Sequence, residues 1–223
     1  FDQTTEGMAL LGDMSVPLSE RLTASAGLRL THEDKSYTAD FDAKGLDAVY
    51  PGILSTFSES GEESYDFWTG KAALSYQWTP DVMSYVSLAR GYKSGGFGFT
   101  NGFMAYGVPR VAYEPTKTNS VEIGARSSLL DGALDLSGAL FYNDMTDEQI
   151  MTYDYYTLEA SNANVDAESK GIELNADWRI GSNWQLGTGV AYTKTRISGV
   201  SAEVASANHG LADGDQLPNT PEW

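Results

Sequence analysis

The sequence contains no cysteine, only 14 lysines and arginines against 31 aspartates and glutamates, and two histidines. Without cysteine there is no disulfide framework, no thiolate zinc site and no thiol catalysis. The formal net charge of −17 excludes a nucleic-acid partner, because a phosphate polyanion needs a basic footprint. Long apolar runs are missing too. Stretches such as Met8 to Leu11 and Ala139 to Tyr142 fall far short of the roughly 18 apolar residues a membrane helix requires. A length of 223 residues would suit a single domain, and 41% hydrophobic residues argue against disorder. The first residue is Phe1 rather than methionine, so the chain is expected to be a piece of something longer.

What is present is alternation of period two, the signature of two-faced β-strands. Leu22, Ala24, Ala26, Leu28 and Leu30 oppose Thr23, Ser25, Gly27, Arg29 and Thr31. Trp68, Gly70, Ala72, Leu74, Tyr76 and Trp78 oppose Thr69, Lys71, Ala73, Ser75 and Gln77. The same split separates Val121, Ile123 and Ala125 from Glu122, Gly124 and Arg126, and Leu134, Leu136, Leu140 and Tyr142 from Asp135, Ser137, Phe141 and Asn143. It recurs for Ile172, Leu174, Ala176, Trp178 and Ile180 against Glu173, Asn175, Asp177 and Arg179, and for Trp184, Leu186, Val190 and Tyr192 against Gln185, Gly187, Gly189 and Ala191. Met8 to Leu18 alternates less cleanly. Val82 to Lys93 reads as a strand of open orientation, since Arg90 shares a parity with Val86 and Leu88.

Connections alternate between short and long. Tight turns are expected at Ser19-Glu20, Thr79-Pro80-Asp81, Asp131-Gly132 and Gly181-Ser182-Asn183, and long segments at about 36–64, 94–113, 146–164 and 197–217. Such asymmetry characterises outer-membrane barrels, whose alternate residues face lipid. Trp78, Trp178 and Trp184 fall beside tight turns on the apolar parity of their strands, with Trp68, Tyr142 and Tyr192 at the opposite ends. From Trp68 to Trp78 the strand covers roughly 33 Å, which a tilt near 40° reduces to about 25 Å, the height of a barrel's apolar band. These six aromatics are read as a lipid-interface girdle.

No motif carries catalysis. Tyr85 to Gly96 lacks the glycine spacing of a phosphate loop, His32-Glu33-Asp34 lacks the second histidine of a zinc protease, and Asp213-Gly214-Asp215 lacks the spacing of a helix-loop-helix calcium site. Neither a metal nor a cofactor is expected, nor an enzyme. The long connections are instead rich in aromatics: Tyr37, Phe41, Tyr50, Phe57, Phe97, Phe99, Phe103, Tyr106, Tyr153, Tyr155 and Tyr156. Large rigid side chains suit ligand capture, and mutual packing of the loops is an equally open reading. Asp40, Asp42, Asp47, Glu59, Glu62, Glu63, Asp154 and Glu159 make the same segments acidic, which disfavours strongly anionic ligands through their field.

YVSLARGYKSGGF (85–97), the run 113–150 that opens YEPTKTNSVEIGARSSLLDG, ESKGIELNADW (168–178) and LPNTPEW (217–223) together resemble the TonB-dependent outer-membrane receptors. Thr116 stands where that family usually has an acid. The resemblance implies an all-β, antiparallel transmembrane barrel of about 22 strands, of which residues 1–223 would supply about eight within one barrel domain, without the plug domain or the last strands. It implies active import of a scarce nutrient in a Gram-negative outer membrane, a siderophore-type iron complex first, with haem, cobalamin or saccharides as other cargoes. The partners implied are the plug, the TonB complex and outer-membrane lipid. Arg29, Lys71, Glu122, Arg126, Asp135, Asn143, Glu173, Asn175, Asp177 and Arg179 would then face the lumen. An arginine at Leu136 is expected to be costly and one at Ser137 tolerated. A passive pore, a self-contained eight-stranded barrel and a soluble all-β carbohydrate-binding or hydrolase domain remain as alternatives.

Overall fold

The computed structural model describes residues 1–42, 44, 56–98, 112–154, 159–207 and 210–223. Its strands are β1 (Asp2–Pro17), β2 (Leu22–Phe41), β3 (Phe57–Thr79), β4 (Val82–Lys93), β5 (Gly96–Phe97), β6 (Ala112–Tyr113), β7 (Thr116–Leu129), β8 (Leu134–Asp154), β9 (Glu159–Ile180) and β10 (Trp184–Ser198), followed by a short helix α1 (Ala202–Ala207). Eight of them form one antiparallel sheet in the order β1-β2-β3-β4-β7-β8-β9-β10, and β5 pairs with β6. β1 and β10 each have a single strand neighbour, so the sheet is open and the self-contained eight-stranded barrel is not what these residues build.

Register puts the alternating faces together. Leu10, Leu30 and Trp68 are aligned across three strands, and so are Ile123, Leu140, Ile172 and Tyr192 across four. Pairing of Leu88 with Ala72 and Val121 settles the orientation of β4: its even residues join the apolar face, Arg90 included. Arg90 is accommodated by stacking its guanidinium 4.5 Å from the Trp68 ring, a cation–π contact at the upper edge of the apolar band. That face stays uncovered. Leu10 is 74% exposed, Trp184 76% and Leu140 53%, and no second sheet covers it among the described residues. A soluble sandwich would bury this surface.

The short turns lie where expected. In the β7–β8 turn Leu130, Asp131 and Gly132 all have positive φ (56°, 55° and 79°), a conformation costly for the two residues that carry a Cβ. The long connections differ from expectation: much of them is strand. The β2–β3 ladder runs on to Phe41 opposite Phe57, and β8–β9 runs on to Asp154 opposite Glu159. Both extensions lie beyond the apolar band, where neither face meets hydrocarbon, so the hydrophobic alternation that marks a strand disappears while the pairing persists. A bulge between Met145 and Glu148, with Asp147 at φ 57°, reverses the parity of β8 there and turns Ile150 onto the same face as Val165 and Ile197.

Segment 197–217, read from sequence as a plain connection, contains α1. Val200, Val204, Leu211 and Leu217 pack on the buried Ile150, Val165 and Ile197. The chain then returns along the free edge of β10. Ile197 N donates to Asp215 O at 2.8 Å, Thr193 N donates to Glu222 O at 2.9 Å, and Trp223 packs on Tyr192 with ring centroids 4.7 Å apart.

Candidate functional site: the polar face and its inward hairpin

All of Arg29, Lys71, Glu122, Arg126, Asp135, Asn143, Glu173, Asn175, Asp177 and Arg179 share the face opposite the girdle residues Trp68, Trp78, Tyr142, Trp178, Trp184 and Tyr192. Arg29 Nε donates to Thr31 Oγ1 at 3.1 Å, and Asn143 Nδ2 donates to Ser169 Oγ at 3.0 Å. Tyr85 Oη donates to Glu122 Oε1 at 2.7 Å while the Arg126 guanidinium lies 5.7 Å from the tyrosine ring. Asn175 and Asp177 reach over Gly189 and Gly187 of β10, whose missing side chains leave the room. On the girdle side, Trp78 Nε1 donates to Ser84 Oγ at 2.9 Å and Tyr142 Oη donates to Glu168 Oε2 at 3.2 Å, so the polar ends of these rings find partners at the edges of the apolar band.

Towards the long-connection end, the polar face closes over itself. The β3–β4 ladder stops at Gly70 opposite Arg90, although β4 continues beside β7 to Lys93. The strands part there, and the segment Ser94–Phe97 crosses onto the polar face. Lys35 Nζ donates to Gly95 O at 2.7 Å and Ser94 Oγ donates to Glu33 Oε2 at 2.6 Å. Phe97 packs against Tyr37 with centroids 4.4 Å apart, both buried at 7% and 4% exposure. Gly95 is required by space: a Cβ there would stand 2.5 Å from Tyr113 O and 2.8 Å from the Tyr65 hydroxyl.

The other flank of the hairpin is fastened to β8 and β9. Asn164 accepts from Glu114 N at 2.9 Å through Oδ1 and donates through Nδ2 to Glu114 O at 2.9 Å and to Asp147 O at 2.7 Å. Gln149 Nε2 donates to Ser94 O at 2.9 Å and to Glu114 O at 3.1 Å. Thr116 is buried and donates to Asp147 O at 3.0 Å. The paired segments 94–97 and 112–116 thus bridge β2–β3 to β8–β9.

Beneath the hairpin, Phe67 and Tyr92 stack at 3.4 Å and 12°. Burial pushes the phenols of Tyr65 and Tyr92 up to about 12, with neighbouring carboxylates adding to the rise. Both therefore stay protonated at neutral pH. The arrangement offers aromatic faces, phenolic donors and carboxylates to a ligand, and no nucleophile paired with a base. Among the described residues no group of three or more metal-ligating side chains occurs.

Of the aromatics singled out from sequence, Tyr37 and Phe97 are brought together. Phe41 and Tyr153 lie on β2 and β8 with side chains outside the described residues, as are Phe99, Phe103, Tyr106, Tyr155 and Tyr156 altogether. Sequence reading passed over Glu33, Lys35, Tyr65, Phe67, Tyr92, Gln149 and Asn164. For the first four the signal was available: they continue the parities of Arg29 and Thr31 and of Thr69 and Lys71 beyond the apolar band.

A family model described as TonB dependent receptor-like, beta-barrel matches residues 1–223. The pesticin receptor of Yersinia pestis is 28% identical over 183 residues, which are 81% of this chain and 25% of that protein. The probable TonB-dependent siderophore receptor PiuA of Acinetobacter baumannii is 21% identical over 100% of this chain and 28% of its own length. Among solved structures, the ferric yersiniabactin uptake receptor FyuA from Yersinia pestis superposes with a TM-score of 0.76 at 23% identity, covering 99% of this chain and 30% of that one. The chain spans about a quarter of the length of the curated relatives it matches. Its apolar face is accordingly the lipid-facing side of a partial transmembrane barrel in a Gram-negative outer membrane, and the chain belongs to the TonB-dependent receptors, as a stretch of their β-barrel.

Proposed function

We propose that this chain is part of an active importer that binds a scarce nutrient, a siderophore-type iron complex, and moves it through the barrel with energy delivered by TonB. In this reading residues 1–223 belong to one barrel domain, whose lumen holds a plug domain from elsewhere in the protein. The observation that carries the proposal is the polar face. Charged and amide side chains line it at the level of the apolar band, and the paired segments 94–97 and 112–116 fold onto it beside stacked aromatics. The siderophore cargo is supported by what the titles of the relatives say of those proteins: ferric yersiniabactin uptake for FyuA and siderophore reception for PiuA.

The experiment is uptake of radiolabelled iron from ferric siderophores in an iron-starved strain deleted for the complete receptor gene. Loss of uptake on deletion, and equal loss when TonB is removed or the proton-motive force collapsed, is the expected result. Uptake that survives loss of TonB would overturn the energy coupling. Uptake unchanged by deletion, across catecholate, hydroxamate and mixed-donor complexes, would overturn the cargo.

A further inference from the structure

We propose that the free upper edge of β3, from Ser58 to Asp66, takes up an extended basic polypeptide segment from outside the cell as an added strand. The β3–β4 ladder ends at Gly70 opposite Arg90, yet β3 runs on to Phe57 paired with β2 alone. Among the described residues no backbone pairs with its other side above Gly70. Strand alternation tells which groups are left open. Gln77 N donates to Arg21 O, so the odd residues of β3 turn their N–H and C=O towards β2 and the even ones turn theirs away. Along the unbroken β2–β3 register, Ser58, Ser60, Glu62, Ser64 and Asp66 each offer one donor and one acceptor to the open side. All five are exposed. The edge covers roughly 26 Å. It carries no proline and no bulge against β2, two of the devices that blunt a strand edge.

Charge selects the occupant. At this level the outward face of β2 and β3 bears Asp34, Asp40, Glu62 and Asp66, with His32 as its basic group, and the inner face bears Glu33, Glu59 and Glu63 against Lys35. Lys93 and Lys117 fall at the foot of the opening, where register carries them to the level of Phe67 and Trp68. A second copy of this edge would set acid against acid, which opposes pairing, whereas a basic strand gains from the same groups. Glu62 and Asp66 stand on the outward face four residues apart, so the fitting segment has Lys or Arg at two positions four apart, in either strand direction. Asp66 is engaged by His32 at 2.8 Å, while Glu62 has no ion pair or hydrogen bond among the described residues. In strand addition the backbone pairing supplies affinity and alternate side chains supply selectivity. The inference is independent of the cargo.

The test uses the complete receptor in neutral detergent and a fluorescein-labelled peptide, TVKVTVKVT, whose two lysines are four residues apart. Fluorescence anisotropy should report binding that weakens as salt rises and is about tenfold weaker when both lysines are replaced by glutamate. Bound peptide should slow hydrogen exchange at the amides of Ser58, Ser60, Glu62, Ser64 and Asp66, and leave the odd amides between them, already bonded to β2, unchanged. Ser60→Pro removes an N–H from the open edge and no bond to β2, and should abolish binding. Glu62→Lys leaves the backbone intact and should weaken binding severalfold; it decides the matter if the proline variant fails to fold. No binding of the lysine peptide, equal binding of the glutamate peptide or of a lysine peptide N-methylated on every residue, or undiminished binding by Glu62→Lys overturns the strand addition. Slow exchange at the even amides before any peptide is added overturns the free edge, because the receptor's own chain would then cover it.

Discussion

Tyr85 stands directly opposite Gly124 on the polar face, and its ring lies across the glycine: a Cβ at 124 would come 2.6 Å from the tyrosine hydroxyl and 2.7 Å from the ring carbon that carries it. The pattern recurs. Tyr37 covers Gly61, and Phe141 covers Gly171, each as register partners. An aromatic ring laid over a glycine shields backbone that the glycine leaves bare and pins the register of the pair.

These pairs make a graded prediction. Gly124→Ala must displace a side chain held by its hydrogen bond to Glu122, and should cost the assembled barrel about 1–3 kcal/mol. Gly171→Ala should cost more, because the new Cβ meets the Tyr192 carbonyl oxygen as well as the Phe141 ring, and backbone yields less readily than a ring. Urea unfolding of the complete receptor in lipid vesicles measures both. A Gly171→Ala variant as stable as Gly124→Ala would contradict the crowding argument.

The face assignment is tested by a pair of arginines. Leu136→Arg on the lipid side should destabilise the barrel by about 2–4 kcal/mol near the midplane. Ser137, the control suggested by the sequence, is a poor choice, because its register partner on β7 is Arg126 and a second guanidinium there is repelled. Ala139→Arg is better placed, opposite Glu173, and should be tolerated. Heat-modifiable gel mobility reads the outcome, and equal damage from Leu136→Arg and Ala139→Arg would reverse or erase the distinction between the faces.

Asn164 fastens the hairpin by three hydrogen bonds to backbone. Its replacement by alanine should release the 112–116 segment without unfolding the sheet, at about 1–3 kcal/mol of local stability. Hydrogen exchange should rise around Glu114 and stay unchanged in β7 below Val121. Exchange rising throughout β7 would mean that the fastening supports the wall itself.

His32, just above the apolar band on the lipid side, bonds Asp66 Oδ1 through Nδ1 at 2.8 Å and Asp34 Oδ2 through Nε2 at 3.1 Å. The Asp66 hydrogen bond first, and then the Asp34 charge, hold its pKa above the ordinary 6.5. A raised pKa means that the contribution of the charged imidazole is complete below 6.5 and is lost as pH climbs through the folded value. An NMR titration of the His32 ring should therefore give a midpoint above 6.5, and Asp66→Asn should bring it down. A wild-type midpoint at or below 6.5 would contradict the bridging geometry.

Where one face of a strand met lipid, the sequence was enough to read it. Leu22 to Leu30, Trp68 to Trp78 and Trp184 to Tyr192 alternate because hydrocarbon accepts no charge, and that demand falls on every second residue whatever the rest of the chain does. Beyond the band it lapses, and there only the tertiary structure decided the outcome. Glu33, Lys35 and Tyr37 remain in a strand because β3 pairs with them, Ile150 turns inward because of a bulge at Asp147, and Arg90 stays on the lipid side because Trp68 stacks on it. Tyr37 and Phe97, two candidates for ligand capture, are buried against each other because the chain crosses the polar face at Gly95, a contact between residues 60 apart that no local pattern encodes. Solvent dictates a pattern that can be read residue by residue; a fold-back between distant strands leaves none.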